Sequence, residues 1–403
     1  MLIFCAVSLL AGGGLGGYLK FSRVFAILLF PLLIYKFRIC NNLRRMITAC
    51  FFFLAYCIAS LIWTPDIEKG IIDVIYHIVH FSLFFELIIF SHYSKKPLMS
   101  ISAGWFCFAL IGSCIAIWEL STGNHLPMAY EENNFIHVDG VLANRMVASA
   151  TYGNFNSYCV VLCYALPWLY FRLLSSNISR MNKTITTILI IVVMLTILID
   201  GSRGGLISFI IMSSLFLVKL PKSLMKYFIV LILSIIILIM FIKFYDEIFM
   251  VLSMRESLLS EFDSNMGMKG GRMAIWITAL KVFFPTFGLG VGCGGMEEAM
   301  SACIGHNSDI INLTHNMFLE VLLQYGLIWF FVLMLFIFRM IKKANRIHDL
   351  TIRVPLQMAL WSMPIYCIID SAYLLRPDLY VQFATIYIFL NYEHISHHIY
   401  IPR

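Results

Sequence analysis

Three short polar stretches interrupt an otherwise oily chain, and each carries a residue type suited to anion binding or proton transfer. Asp200-Gly201-Ser202-Arg203-Gly204-Gly205 sets one guanidinium among three glycines. Exposed backbone N–H groups beside an arginine at a helix start suit a phosphate or pyrophosphate. A snorkelling arginine that anchors a helix end is the plainer reading of the same residues. Gly270-Gly271-Arg272, followed by Trp276, repeats the pattern, and arginine rather than lysine there allows bidentate engagement of phosphate oxygens. Thr314-His315-Asn316-Met317-Phe318-Leu319-Glu320 brings an imidazole and a carboxylate to the mouth of an apolar run. An unperturbed histidine titrates near pH ~6.5 and is the natural general base for a hydroxyl at neutral pH. A lone interfacial histidine equally serves as a structural hydrogen-bonder. Glu320, inside the apolar run, needs a partner such as an arginine.

Further groups have more than one reading. Tyr152-Gly153-Asn154-Phe155-Asn156-Ser157, with Arg145 upstream, is either a helix cap with its turn or a set of hydrogen-bond donors to a sugar. Asp73, His77 and His80 share one helical face at i, i+4, i+7, with Glu86 deeper. That row fits a proton relay in a transporter or an internal polar network. Most of the eleven cysteines lie inside apolar runs and read as small hydrophobes. No CxxC or Cys/His spacing points to a metal, so neither metal nor cofactor is expected. Cys293 and Cys303 share one polar loop, where an oxidising compartment would allow a disulfide.

These residues must be held by a membrane-embedded scaffold. Of 403 residues 61% are apolar, 15% aromatic and only 13% charged, against roughly 25% charged in soluble domains; the mean hydropathy is +0.87. A soluble enzyme, a disordered chain and a nucleic-acid binder are excluded, despite a net charge of +7. Hydropathy predicts an all-α polytopic protein with about twelve transmembrane helices, near 2–19, 21–37, 46–63, 71–91, 98–119, 157–174, 184–200, 204–219, 225–243, 316–339, 354–373 and 379–395. Residues 1–19 lack a basic n-region and a cleavage site and read as a span, not a signal peptide. With a cytoplasmic N-terminus, 18 of the 29 Lys and Arg residues fall in inside segments, so both termini are expected in the cytoplasm. Residues 1–403 then form one integral membrane domain with two long outside loops, 120–156 and 244–315. The second, before the tenth helix, carries an amphipathic stretch from Arg272 to Phe284 and a glycine-rich turn from Pro285 to Gly295.

Taken in order, these pieces resemble the O-antigen ligase and polysaccharide polymerase family of bacterial envelopes. The resemblance rests on Gly201-Ser202-Arg203-Gly204 at a span start, Gly271-Arg272 with Trp276, and the turn Pro285-Thr286-Phe287-Gly288-Leu289-Gly290-Val291-Gly292. It continues through His315-Asn316, Glu320 and Gly326, and Tyr152-Gly153-Asn154-Phe155-Asn156 is similar to an Asn-containing element of polymerase-like members, with Phe155 where many relatives carry proline. The motifs cover about residues 150–330, and the topology covers the whole chain.

The resemblance implies a GT-C-type glycosyltransferase of the bacterial inner membrane, with its active site facing the periplasm. Its donor would be an undecaprenyl-pyrophosphate-linked glycan and its acceptor a hydroxyl on another glycan or on lipid A–core. It would use no nucleotide sugar and no metal, and a chain-length regulator protein would be a further partner. Arg203 and Arg272 would hold the pyrophosphate and His315 would activate or order the acceptor. Arg145, Asn154, Asn156, Gly204, Asn316 and Glu320 would line the substrate. The Asn element favours a polymerase over a ligase. The rival from another class is a precursor flippase, which would depend on Asp73, His77 and Glu86.

Overall fold

The computed structural model describes residues 1–11, 41–126, 135–138, 141–144, 147–219, 271–304, 313–370 and 373–392. In chain order the helices are α1 (Leu2–Ala11), α2 (Asn41–Ser60), α3 (Ile67–His92), α4 (Pro97–Thr122), α5 (Phe155–Leu174), α6 (Arg180–Ile199) and α7 (Arg203–Lys219). They continue with α8 (Gly271–Phe283), α9 (Met296–Ile304), α10 (Met317–Asn345), α11 (Leu350–Trp361), the single turn α12 (Met363–Tyr366) and α13 (Pro377–Leu390). Six of the described helices are long and apolar enough to cross a membrane: α2 from Leu43 onward, α3, α4, α5, α6 and α10. The chain is a multi-pass membrane protein built on helices. The expected spans 21–37 and 225–243 lie outside the described residues.

Local chemistry sets where these helices begin and end. The Asp66 carboxylate accepts the Lys69 N–H at 2.9 Å and starts α3, Pro97 opens α4, and Gly123, at φ 69°, closes it. Asn154, Ser179, Asn316 and Asp349 cap α5, α6, α10 and α11 with side-chain oxygens. Each cap satisfies backbone donors left over at a helix start, which matters most where lipid offers no substitute.

Helix α5 is the axis of the bundle, buried along almost its whole length and packed by α4, α6, α7 and α11. Its indole Trp168 Nε1 donates to Gln382 Oε1 at 2.8 Å, and Trp105 Nε1 of α4 donates to Thr385 Oγ1 at 2.9 Å. Both bonds tie the core to α13 and leave the two buried indole donors satisfied.

Two expectations are corrected, and one long loop holds a hairpin. The span expected at 354–373 is broken: α11 stops at Trp361, Ser362 Oγ turns back onto Met358 O at 2.5 Å, and Pro364 opens a new turn. Proline lacks the N–H that would have continued the helix. Within loop 120–156, β1 (Phe135–Val138) pairs antiparallel with β2 (Val141–Asn144), Val138 opposite Val141. The Asp139-Gly140 dipeptide between them is the composition that two-residue hairpin turns prefer. Helix α8, expected to be amphipathic, has Lys281 as its one charged residue after the first turn and is apolar on most of its girth.

Candidate active site

The long helix α10 begins beside the candidate residues, and a glycine turn fixes its course. Gly326, at φ 81° and ψ −178°, breaks the helical path and leaves the preceding carbonyls without intrahelical donors. The turn 286–295 supplies them. Val291 N–H donates to Leu323 O at 2.8 Å, Gly292 N–H to Gln324 O at 3.2 Å, and Leu327 N–H returns to Gly288 O at 2.8 Å. A Cβ on Gly290 would lie 2.7 Å from Gly326 N, so only glycine allows the two backbones to meet. Tyr56 Oη donates to Leu289 O and Trp63 Nε1 to Gly290 O at 3.2 Å, fastening the turn to α2 and its following loop.

Residues 367–370 and 373–376 join the starts of four helices. Met317 N–H, at the start of α10, donates to Cys367 O at 3.0 Å. Ile369 packs against Gly204 so closely that a Cβ there would sit 2.6 Å from its Cγ1, which brings in the start of α7. Ser157 Oγ, in the first turn of α5, donates to the Asp370 carboxylate. Arg376, just before α13, donates to Ser157 O at 3.0 Å and pairs with Asp370 and with Asp378, the latter at 3.0 Å. Burial works against the guanidinium charge, but the Asp378 and Asp370 carboxylates outweigh it and hold Arg376 well above its ordinary pKa. Tyr373 closes the segment, its hydroxyl accepting the Ile369 and Asp370 N–H groups at 3.1 and 2.8 Å and donating to Tyr366 O at 2.6 Å.

The sequence-predicted residues that are described take the following places. Arg203 is the first residue of α7 and is exposed, while Gly204 beside it is a close-packing position against Ile369. His315 sits one residue before the α10 cap with φ 47°, a left-handed conformation that is uncommon outside glycine and concentrates at functional sites. Trp276 Nε1 of α8 donates to Thr314 O at 2.8 Å, so the helix that carries Arg272 is moored next to His315. The Arg272 side chain and all of Arg145 lie outside the described residues. Glu320, expected to seek an arginine, is buried and accepts the Tyr373 N–H at 3.0 Å. Asn154 caps α5 through the Asn156 N–H at 2.7 Å, and Asn316 caps α10 through Phe318 and Leu319 N–H at 3.0 and 3.3 Å. Asn156 itself is half-buried in the first turn of α5.

The segment ahead of α5 is anchored by two acids from neighbouring helices. Glu119 accepts the Ser149 and Ala150 N–H groups at 2.9 and 2.7 Å, and Asp200 accepts that of Ala148 at 2.7 Å. The row on α3 is largely absorbed by packing partners. Gln324 Nε2 donates to Asp73 Oδ2 at 3.0 Å, and His77 Nε2 lies 2.7 Å from Tyr325 Oη. For these two residues the internal polar network is the reading that fits. Cys293 is buried, Cys303 is exposed on α9, and both are unbonded, so the disulfide that the loop would allow is not formed.

Sequence reasoning missed Asp370, Tyr373, Arg376 and Asp378. Their signal was a cluster of charge between two apolar runs, without glycines or spacing to suggest a role.

Residues 185–334 match the family described as O-antigen ligase, a range that contains Arg203, Arg272, His315, Asn316 and Glu320. No curated protein matches the chain.

Proposed function

Residues 185–334 match the O-antigen ligase family, and from that premise we propose that the chain is a polymerase-type membrane glycosyltransferase. It moves a glycan from undecaprenyl pyrophosphate to a hydroxyl of a second lipid-linked glycan, on the periplasmic side of the bacterial inner membrane. The observation that carries this reading is the convergence on residues 367–370 and 373–376 of four helix starts, one bearing Arg203 and another preceded by His315.

In this reaction the bond between the anomeric carbon and the pyrophosphate oxygen breaks, and a bond from the acceptor oxygen to that carbon forms. The leaving group is undecaprenyl pyrophosphate. Negative charge builds on it as it departs, and preorganised cations and helix N-termini stabilise such charge best where water is excluded. Arg203 and Arg272 take that role. His315 accepts the proton of the acceptor hydroxyl, and Asn156 contributes polar contact to the sugar. Glu320 acts as a positioning residue through the Tyr373 N–H. Arg376 is committed to Asp370 and Asp378 and fixes the junction. An apolar cavity of about 250 Å³, walled by Phe53, Phe81, Tyr325, Trp329, Leu374 and Tyr380, offers room for a stretch of the polyprenyl tail.

The ligase reading, with lipid A–core as acceptor, is favoured by the family's description. Deleting the gene and sizing lipid-linked and surface glycan separates the two. Loss of long chains, with single repeats still reaching the surface acceptor, is the result expected of a polymerase. Long chains stranded on the carrier would mean a ligase. Single repeats piling up on the cytoplasmic side would replace both readings with a flippase.

A further inference from the structure

Cys57 of α2, His77 of α3 and Cys293 of the glycine turn come from three separate elements. Yet their donor atoms all lie within 4.8 Å of one another, and all three residues are 0% exposed. A tetrahedral ion with Zn–S bonds of about 2.3 Å and Zn–N bonds of about 2.0–2.1 Å spaces its donors roughly 3.5–3.8 Å apart, so a small contraction would close the set around one ion. An isolated buried cysteine is an inert hydrophobe. Two thiols and an imidazole gathered in one dry pocket call for a different account.

The surroundings are those of a prearranged donor set. Cys293 N–H donates to Ser60 Oγ at 2.9 Å, Ser60 Oγ donates to Cys57 O at 2.7 Å, and Thr64 Oγ1 donates to Cys293 O at 2.9 Å. The backbones of both cysteines are therefore fixed before any ion arrives. The His77 ring is held between Tyr325 Oη, 2.7 Å from Nε2, and Tyr380 Oη, 3.4 Å from Nδ1, so an ion replaces one of these contacts while the other keeps the ring oriented. Gln324 Nε2 in turn holds Tyr325 Oη at 2.9 Å and Asp73 Oδ2 at 3.0 Å. Outer partners of this kind set ring orientation and tautomer at metal sites.

We propose that Cys57, His77 and Cys293 form a structural binding site for one thiophilic divalent cation, Zn²⁺, that clamps the glycine turn to α2 and α3. Thiolate and imidazole donors select soft or borderline ions over Mg²⁺ or Ca²⁺. Binding releases two thiol protons to solvent and uses the lone pair of a neutral imidazole. A dication with two thiolates carries no net charge, the form that burial tolerates. Three protein donors leave a fourth position for water or a nearby oxygen. Because the turn supplies the hydrogen bonds at the α10 kink, the ion would stiffen the path of α10 at a distance from the reacting groups. The site stands on its own geometry and does not depend on the transferase reading.

The test uses the full chain in detergent, reduced, stripped with a chelator and titrated with Co²⁺ alone. The expected result is one Co²⁺ per chain, with thiolate-to-cobalt charge-transfer and tetrahedral d–d bands, both erased by added Zn²⁺. Cys57→Ser and Cys293→Ser should lose the charge-transfer intensity in part and the double variant entirely, while Cys114→Ser keeps it. If the serine variants fail to fold, the wild-type spectrum and a rise in its Tm on adding Zn²⁺ still decide the matter. Absence of the cobalt bands in folded wild-type protein with both thiols reactive to alkylation overturns the site. So does a Cys57–Cys293 disulfide in the protein as isolated before reduction, found by peptide mass mapping.

Discussion

At the scale of single residues, the candidate chemistry rests on side chains with different jobs at one junction. Arg203 is exposed at a helix start, where its charge and the α7 N-terminus act in the same sense on an anion. Arg203→Ala is expected to lower glycan transfer by ~10²–10³-fold, the range for removing one preorganised stabiliser of developing charge. Arg203→Lys should recover part of it, since an ammonium keeps the charge but loses the bidentate fork. His315→Ala should slow transfer by ~10²–10⁴-fold and leave donor affinity unchanged. Both variants are measured with purified protein and a lipid-linked donor, with membrane insertion checked in parallel. Full activity in Arg203→Ala would remove the pyrophosphate role, and wild-type turnover in His315→Ala would remove the base.

Residue type and neighbours in the chain were enough to single out Arg203, His315 and Glu320. They left a helix cap and a sugar contact as equal readings for Asn154, whose side-chain oxygen goes to the cap, and did not reveal that Glu320 holds a backbone N–H from far along the chain. Those roles depend on which backbone donors come within reach, and folding alone decides that.

Between elements, the joint of the glycine turn and the α10 kink is the device that aims the start of α10. Gly326 needs a positive φ, and a Cβ there would meet Leu289 O at 2.5 Å. Gly326→Ala is therefore expected to destabilise the protein by about 1–3 kcal/mol, the usual cost of a residue held in a disfavoured backbone region, with the close contact adding to it. The readout is a lower Tm, together with faster amide exchange over 286–295 than in the wild type. Wild-type exchange in that segment would show that the turn does not rely on the kink. The glycines of the turn stood out in the sequence as a bend. That they complete the hydrogen bonding of another helix was not legible, because the partner carbonyls of Leu323 and Gln324 belong to an ordinary apolar run.

For the whole molecule, orientation decides which compartment the junction serves. From the Lys and Arg distribution, the connections that follow α3 and α5 are expected in the cytoplasm. The end of α4 at Ser121, near the Glu119 that holds residues 149 and 150, would then lie outside with the junction. A Ser121→Cys variant is expected to react with a membrane-impermeant maleimide in spheroplasts with intact inner membranes, and Lys95→Cys only after permeabilisation. The opposite labelling would turn the protein over and place the junction in the cytoplasm, which no periplasmic transferase could use. Both positions are exposed, so protection would reflect the membrane rather than packing.

Hydrophobic run length and charge bias are local properties, and lipid allows few solutions for a backbone in hydrocarbon. For that reason the sequence by itself determined a helical, multi-pass protein and the rough position of most described spans, as well as the arginines and histidine worth testing. Tertiary structure alone decided that residues 367–370 and 373–376 gather four helix starts. It also brought Cys57, His77 and Cys293 into one buried pocket. Each of those outcomes depends on contacts between residues far apart in the chain, and no local spacing encodes them.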